Sequence, residues 1–213
     1  IPPRYLRDIV GEMLAARASM LTSPVIGGGE ASRGAAMENL QLSAFIAPAM
    51  CLALHVARIT CVCGKSMLFR RSELEQDFGG LGAVRNVLCE DFVLGERYKA
   101  AGRRLVLRVP PVEHVNRDCG IDRFLERHGR WLKMRATLHA PAFVADILSN
   151  PVALAALAVL ASGFDLTVTL AALTLTAAKA AADHLAVRLT RAPIAPRYAW
   201  LAPVKDLLLL PLW

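Results

Sequence analysis

The sequence predicts an α/β head followed by an apolar helical region that is embedded in a membrane. In the first half, short β-branched or apolar runs alternate with stretches of helical spacing, a pattern typical of α/β layer folds. The charges are unevenly distributed: residues 1–135 contain 20 Lys or Arg and 14 Asp or Glu, whereas residues 136–213 contain 5 and 4. With 55% hydrophobic residues and a mean hydropathy of +0.41, the chain is a polar, basic front joined to an apolar back.

The composition excludes several classes of protein. Disordered and fibrous chains carry far fewer apolar residues than this one. The net charge is +7, but residues 1–110 contain no Lys/Arg run interleaved with aromatic residues, which make up only 6% of the chain. We therefore expect no nucleic acid partner.

The five cysteines indicate neither a disulfide framework nor a metal site, because they are odd in number and form no CxxC pair. Cys61 and Cys63 offer only two of the four ligands that a structural zinc site needs. We expect buried, reduced thiols, which fit a cytoplasmic head.

Residues 1–63 contain four predicted elements, which are helices at residues 2–20 and 37–50 and strands at residues 24–26 and 56–63. The two helices rest on apolar residues at helical spacing. The first strand leads into the flexible turn Gly27-Gly28-Gly29, and the second is β-branched and is expected to be buried.

Residues 64–111 continue the alternation. Ser72 and Glu75 have the spacing of a capping box, so a helix is expected to begin at Ser72. Residues 78–82 predict a turn. A helix at residues 90–101, ending at Gly102, and a strand at residues 104–109 follow.

A basic amphipathic helix is predicted at residues 121–138, immediately before the apolar region. Its cations fit the positive-inside rule and anionic lipid headgroups; they are Arg123, Arg127, Arg130, Lys133 and Arg135.

The apolar region predicts a membrane hairpin. Residues 152–178 contain one charge, Asp165, and the turn at residues 162–165 divides them into spans at about 145–162 and about 166–185. Both flanks are expected in the cytoplasm, since cations also follow the second span: Arg188, Arg191, Arg197 and Lys205. A third apolar segment begins near Tyr198. A soluble all-helical domain is the alternative, because Ala-rich helices form anywhere.

Three clusters carry potential chemistry. Gly64-Lys65-Ser66-Met67 allows close backbone approach to a ligand, although an ordinary turn has the same composition. Glu90-Asp91 at a helix start either complements the helix dipole or supplies a general base.

The third cluster lies on the basic helix. Arg127 and Arg130 share a helix face with Trp131 beside them, and two guanidiniums suit a diphosphate. A membrane-surface helix with a Trp anchor is the alternative interpretation.

Taken in this order, the clusters resemble a membrane glycosyltransferase of the GT-A class, namely the ceramide glucosyltransferase family with its bacterial relatives that glycosylate hopanoids. The resemblance covers nearly the whole chain. The segments that carry it are Met37–Leu40, Gly64–Arg71, Phe78–Leu81, Glu90–Phe92, Gly102 and Arg127-x-x-Arg130-Trp131. It implies the C-terminal, acceptor half of a Rossmann-like GT-A domain at residues 1–118, an interfacial helix at 119–140 and a transmembrane helical region at 141–213.

The resemblance also implies an activity: inverting transfer of a hexose, glucose or N-acetylglucosamine, from a UDP-sugar to the hydroxyl of a membrane lipid of the ceramide or hopanoid type. Asp91 matches the family's catalytic base. Arg127, Arg130 and Trp131, with Glu90, match positions at the donor diphosphate and the acceptor end. Gly64, Lys65, Ser66 and Met67 match the loop beneath the acceptor. His55 is interpreted first as a core histidine and only second as an acceptor-side residue.

The family's Asp-x-Asp site for Mg²⁺ or Mn²⁺ and its first aspartate do not occur in this sequence, where Asp8 is followed by Ile9 and Val10. We expect them upstream of Ile1, with the chain truncated at both ends and inactive alone. The whole protein is expected in a bacterial inner membrane with its head in the cytoplasm.

Two other functions remain open from the sequence. A processive polysaccharide synthase of the cellulose or hyaluronan type shares these motifs, but such proteins carry more spans. A non-catalytic membrane adaptor would keep the fold without the upstream aspartates.

Overall fold

The chain divides into two compact units. In a computed structural model, residues 2–56, 58–59, 61–108, 110–138 and 140–212 are described. The first unit comprises Ile1–Ile26 and Ile46–His114, and the second comprises Gly27–Phe45 and Val115–Trp213.

A three-stranded sheet forms the centre of the first unit. Strand β1 (Met20–Thr22) pairs antiparallel with β3 (Met67–Phe69) and parallel with β4 (Leu105–Leu107). Strand β2 (Val25–Gly28) pairs with β5 (Val112–Val115) in a second sheet.

Helices cover both faces of the three-stranded sheet. Successive side chains of a strand point to opposite faces, so neighbouring residues of β1 pack against different helices. Met20 packs in a cluster with Leu74, Leu94 and Tyr98, whereas Leu21 packs with residues of the first helix, including Ile9 and Met13. The predicted α/β layering is thereby confirmed. The helices of this unit are α1 (Tyr5–Ala15), α3 (Ala47–His55), α4 (Arg71–Phe78) and α5 (Glu90–Ala100), with a 3₁₀ turn at Leu81–Val84.

Helix α2 (Arg33–Leu40) continues through the π-helical turn Gln41–Ile46 into α3. The side chain of Ser32 caps α2 by accepting a hydrogen bond from the Ala35 N–H. Pro48 lies at the start of α3, where its missing N–H and its ring disfavour regular α-helical hydrogen bonding to the preceding turn. The π-helical turn just before Pro48 accommodates the missing hydrogen bond, so the chain stays helical across it. The observed helical run, Arg33–His55, is therefore longer than the predicted helix at residues 37–50.

The remaining helices belong to the second unit, and they are α6 (Ile121–Leu138), α7 (Ala140–Leu148), α8 (Pro151–Ala161), α9 (Leu166–Leu189) and α10 (Leu201–Leu209), with 3₁₀ turns at Pro196–Tyr198 and Leu210–Leu212. Its core contains Met37 and Leu40 of α2, Phe124 of α6, and Leu201 and Leu209 of α10. The predicted basic helix at residues 121–138 is confirmed.

Three local predictions are wrong. Among the described residues of 56–63 there is no strand, because the chain leaves α3 late and the Cys63 N–H donates to the Thr22 side chain instead of to a ladder. Ser72 is not a capping residue: α4 begins at Arg71, and the Arg71 guanidinium binds Glu75 at 2.7 Å.

The first predicted span is also interrupted, since residues 145–162 lie on α7 and α8 with a break at Ser149-Asn150. The second predicted span is a continuous helix. Among the described residues, α9 and the run Arg33–His55 are long and apolar enough to cross a membrane, and 50% of the window in the latter is buried inside the structure, against 6% in α9.

Candidate active site

Thr22, at the end of β1, fixes the loop that follows α3. Its hydroxyl accepts a hydrogen bond from the Cys63 N–H and donates one to the Ser66 carbonyl, each at 3.0 Å. The Ser66 hydroxyl is hydrogen-bonded to the Tyr5 hydroxyl. The predicted Gly64–Met67 loop is therefore anchored at the end of a buried strand, with Met67 as the first residue of β3.

Asp91 lies against this loop. The Gly64 N–H donates to Asp91 Oδ2 at 2.9 Å, and the Phe92 N–H donates to Asp91 Oδ1 at 2.8 Å. A side-chain carbon at Gly64 would stand 3.2 Å from Asp91 Oδ2, so the carboxylate would have to shift by a few tenths of an ångström to admit one. The structure thus brings together two sets of predicted residues that are 27 positions apart in the chain.

Helix α5 begins directly after a residue in a left-handed conformation. Cys89, the residue before the helix, has a φ of 58°, a left-handed conformation that non-glycine residues seldom adopt. Glu90 and Asp91 follow in the first turn, where the helix dipole stabilises negative charge. Asp91 is half-buried, and Glu90 and Lys65 are exposed. Asp91 is the carboxylate that the loop orients.

The charge of Asp91 affects the pKa of the nearby Cys63 thiol. Burial raises the pKa of the Cys63 thiol, a hydrogen bond with the Lys65 backbone lowers it, and the negative charge of Asp91 raises it. The thiol is therefore expected to stay protonated at neutral pH and to act as an uncharged wall of the loop.

In the second unit, Arg127 of the basic helix is paired internally. Its guanidinium lies 3.2 Å from Glu38 Oε1, and the His128 ring lies 2.8 Å from Glu38 Oε2. Glu38, on α2, is fully buried at 0% exposure. A buried carboxylate needs such partners, because an unpaired charge in the interior is strongly destabilising.

The other two residues of the motif differ in their contacts: Trp131 is packed against its neighbours, whereas Arg130 is exposed. The Trp131 ring centroid lies 5.1 Å from the Arg127 guanidinium carbon and 5.1 Å from the His128 ring. Arg130 is exposed, and its guanidinium forms no ion pair within the described part of the chain. Arg127 is therefore held by Glu38 of α2, Trp131 packs against Arg127, and Arg130 is the guanidinium open to a ligand.

A second buried carboxylate of this unit, Glu30, has partners of its own. The Asn39 side-chain amide donates to Glu30 Oε2 at 2.8 Å, and the Ala195 N–H donates to Glu30 Oε1 at 2.6 Å. Glu38 and Asn39 are adjacent polar residues in a helical run that also contains Gln41 and Ser43. The sequence therefore does not distinguish Glu38 and Asn39 from their polar neighbours, and their partners could not be named from it.

The predicted site residues fall into two groups. Asp91, Glu90 and the Gly64–Met67 loop belong to the first unit, and the Arg127–Trp131 motif belongs to the second. His55 is the last residue of α3 and is exposed, so its interpretation as a core histidine is wrong.

A divalent cation, which the family resemblance implies, does not fit the residues that the structure describes. Among them, no group of three His, Cys, Asp or Glu side chains could hold a metal ion. The polar contacts of Asp91 are backbone N–H groups rather than further carboxylates. These contacts orient the Asp91 carboxylate as a proton acceptor rather than as a metal ligand.

Comparison with known families decides the assignment. The family model for glycosyl transferase family 21 matches residues 1–213. The chain belongs to glycosyltransferase family 21. Membership confirms the predicted ceramide glucosyltransferase-like family and supports glycosyltransferase activity. Neither the curated proteins nor the solved structures give a significant match to this family-21 chain.

Proposed function

We propose that this family-21 protein is an inverting glycosyltransferase that moves a hexose from a UDP-sugar to a hydroxyl of a membrane lipid of the ceramide or hopanoid type. The observation that carries the proposal is the Asp91 carboxylate, oriented by the Gly64 N–H at the N-terminus of α5. The GT-A arrangement of the catalytic domain is part of the same proposal.

In this reaction Asp91 acts as the general base. The acceptor hydroxyl oxygen attacks the anomeric carbon of the sugar from the face opposite the nucleotide. The bond between that carbon and the UDP oxygen breaks, UDP leaves with the electron pair, and the hydroxyl proton passes to Asp91. Because Gly64 holds one carboxylate oxygen and Phe92 the other, the base is positioned before the acceptor arrives.

The two arginines of the motif have different roles in the proposal. Arg130, exposed and without an ion pair among the described residues, contributes its guanidinium to the departing diphosphate. Arg127, tied to Glu38, is a positioning residue that keeps the Trp131 ring in place.

A lipid acceptor is supported by the exposed apolar helices. The described surface of α8 and α9 carries large side chains that water solvates poorly, including Leu157, Leu160, Leu173 and Leu189, which are 46–74% exposed. Helix α9, with 24 residues, reaches about 36 Å at about 1.5 Å per residue, enough for a hydrocarbon core of about 30 Å. We propose that α9 spans the membrane and keeps the enzyme at its acceptor.

The test is transfer of labelled sugar from UDP-glucose or UDP-N-acetylglucosamine to lipid by the full-length enzyme in membranes. Asp91→Asn keeps an oxygen for the Gly64 N–H but removes the base, so kcat should fall about 10²–10⁴-fold. Glu96→Gln, on the same helix in an exposed ion pair with Lys99, is the matched control and should retain activity.

Two results would contradict the proposal. Full activity of Asp91→Asn would remove Asp91 from the reaction, and a long polymer in place of a single-sugar lipid would favour the polysaccharide synthase. The stereochemistry of the product, read by NMR, checks the inversion separately.

A further inference from the structure

The second unit contains a pocket that the transferase proposal does not use. It lies along the C-terminal half of α9 and the segment that follows, and its volume is about 310 Å³. Small-molecule sites usually measure about 300–1,000 Å³. The pocket is therefore large enough for a headgroup but small for a whole lipid.

One wall of the pocket is apolar and comes from three elements. Leu40 of α2, Val187 of α9 and Ala202 of α10 line it, with Ile194 from the connecting segment. Such a wall suits hydrocarbon rather than a fully hydrated anion.

The positive charge of the pocket comes from two arginines. Arg188 in the last turn of α9 and Arg191, which follows the end of that helix, line the same pocket, as does His184. Arg188 and Arg191 are exposed, and neither guanidinium forms an ion pair or side-chain hydrogen bond within the described ranges of the chain. Arg191 has a φ of 55°, so its backbone is held in an uncommon conformation at the end of the helix.

Among the described residues that line the pocket, the one carboxylate is Asp183, and it does not cancel these charges. Lys179 binds Asp183 Oδ1 at 2.6 Å, and Lys205 lies 3.8 Å from Asp183 Oδ2. Asp206 pairs with both lysines, so the two carboxylates and two lysines form a neutral group. The pocket therefore keeps the positive charge of its two arginines.

We propose that this pocket binds the phosphate group of an anionic phospholipid, with Arg188 and Arg191 as phosphate ligands and the first part of the lipid chains against Leu40 and Val187. Guanidinium groups bind phosphate through paired, charge-assisted hydrogen bonds. Exposed apolar side chains on the same helix, Leu185 and Leu189, place lipid chemistry next to these cations. A lipid phosphate satisfies both the charge and the apolar wall, whereas a soluble phosphate satisfies only the charge.

The experiment uses the full-length protein in detergent micelles containing phosphatidylglycerol, with phosphatidylcholine as the zwitterionic comparison, and counts retained lipid by native mass spectrometry. The wild-type protein should retain one phosphatidylglycerol in preference to phosphatidylcholine. Arg188→Gln with Arg191→Gln should weaken that retention by about tenfold or more, since each cation near a lipid surface contributes to anionic binding. The control Arg4→Gln with Arg7→Gln removes the same charge from exposed positions of the first unit and should leave retention unchanged.

A second variant separates charge from volume. Ala199→Trp adds bulk at an exposed position that lines the pocket and keeps both arginines, and it should also reduce retention. Thermal unfolding of each variant verifies that it is folded.

Four outcomes would overturn the proposal: no lipid retained by the wild type, equal retention of both lipids, equal losses in the two double variants, or retention that survives both pocket variants. Displacement of phosphatidylglycerol by an equal concentration of inorganic phosphate would identify a soluble phosphate site instead.

Discussion

At the scale of single residues, Asp91 and Glu38 show how the environment separates two carboxylates. Asp91 is half-buried and is held by backbone N–H groups. Glu38 has no exposed surface, and a guanidinium and an imidazole occupy its two oxygens. Only Asp91 is accessible enough to accept a proton from an entering hydroxyl. Asp91 is therefore the candidate general base, whereas Glu38 has a structural role.

Glu38→Gln is expected to lower the free energy of unfolding by about 3 kcal/mol, because it leaves the Arg127 guanidinium without its buried counter-charge. Denaturant titration in micelles measures the change. Glu126→Gln, on the exposed side of α6, is the control and should shift it by less than about 0.5 kcal/mol. Equal effects of the two variants would show that the pair contributes no specific stability.

Asp91→Asn is expected to lower the pKa of the Cys63 thiol, since the negative charge of Asp91 is one of the causes that raise it. A lower pKa gives more thiolate at a fixed pH, so alkylation of Cys63 by iodoacetamide should be faster in the variant at pH 8. Site-resolved mass spectrometry follows the rate.

Cys119 is the internal control for that experiment. Burial and the nearby Glu38 raise its pKa, and Asp91 is not among the causes, so its rate should stay constant. At a pH well above the pKa of Cys63 in both proteins, Cys63 should react at the same rate in the wild type and in Asp91→Asn. A faster rate that persists there would mean that access, rather than charge, had changed.

At the scale of elements, strong periodic patterns predicted the helices correctly, whereas irregular segments could not be predicted from the sequence. The helices α5 and α6 follow from helical spacing and end near the predicted residues. The π-helical turn before Pro48 and the absence of a strand in the described part of residues 56–63 depend on packing and on the Thr22 hydrogen bonds, which no local pattern encodes. The same limit applies to the site: Asp91 could be named from the sequence, but its contact with Gly64 and the pairing of Arg127 with Glu38 required the fold.

Asn150 explains why the first predicted span is broken. Its side-chain oxygen caps α8 by accepting from the Ala153 N–H, and its amide donates to the Asp206 carbonyl at 2.9 Å. Apolar composition on both sides concealed this cap, because hydropathy does not register a single buried amide.

Asn150→Ala is expected to destabilise the protein by about 2 kcal/mol, since it removes both a helix cap and a buried hydrogen bond. The measurement is again the free energy of unfolding in micelles. The comparison variant is Ser162→Ala, which removes only an exposed hydroxyl contact at the other end of α8. A loss no larger than that of Ser162→Ala would mean that the cap is dispensable.

At the scale of the whole molecule, the distribution of charge gives the expected orientation in a membrane. Arg188 in the last turn of α9, and Arg191 and Arg197 after the helix, are exposed, as the positive-inside rule requires for a cytoplasmic flank. Lys205 does not belong with them, because it is fully buried in its pairing with Asp206. Three of the four predicted flanking cations are therefore exposed, and the fourth is buried.

Cysteine labelling tests this orientation. In a cysteine-free form of the full-length protein, Ser162→Cys should react with an impermeant maleimide on intact cells, whereas Pro193→Cys should react only after permeabilisation. Labelling of both positions from the same side would contradict a spanning α9.

The pairing of Lys179 with Asp183 has a consequence for biosynthesis. The two residues lie four positions apart on α9, so they can neutralise each other as soon as that helix has left the ribosome. Lys205 and Asp206 are adjacent in the chain and arrive later, already carrying both signs. Each of these two pairs is therefore neutral when it is synthesised, and the two pairs come together when α10 packs against α9.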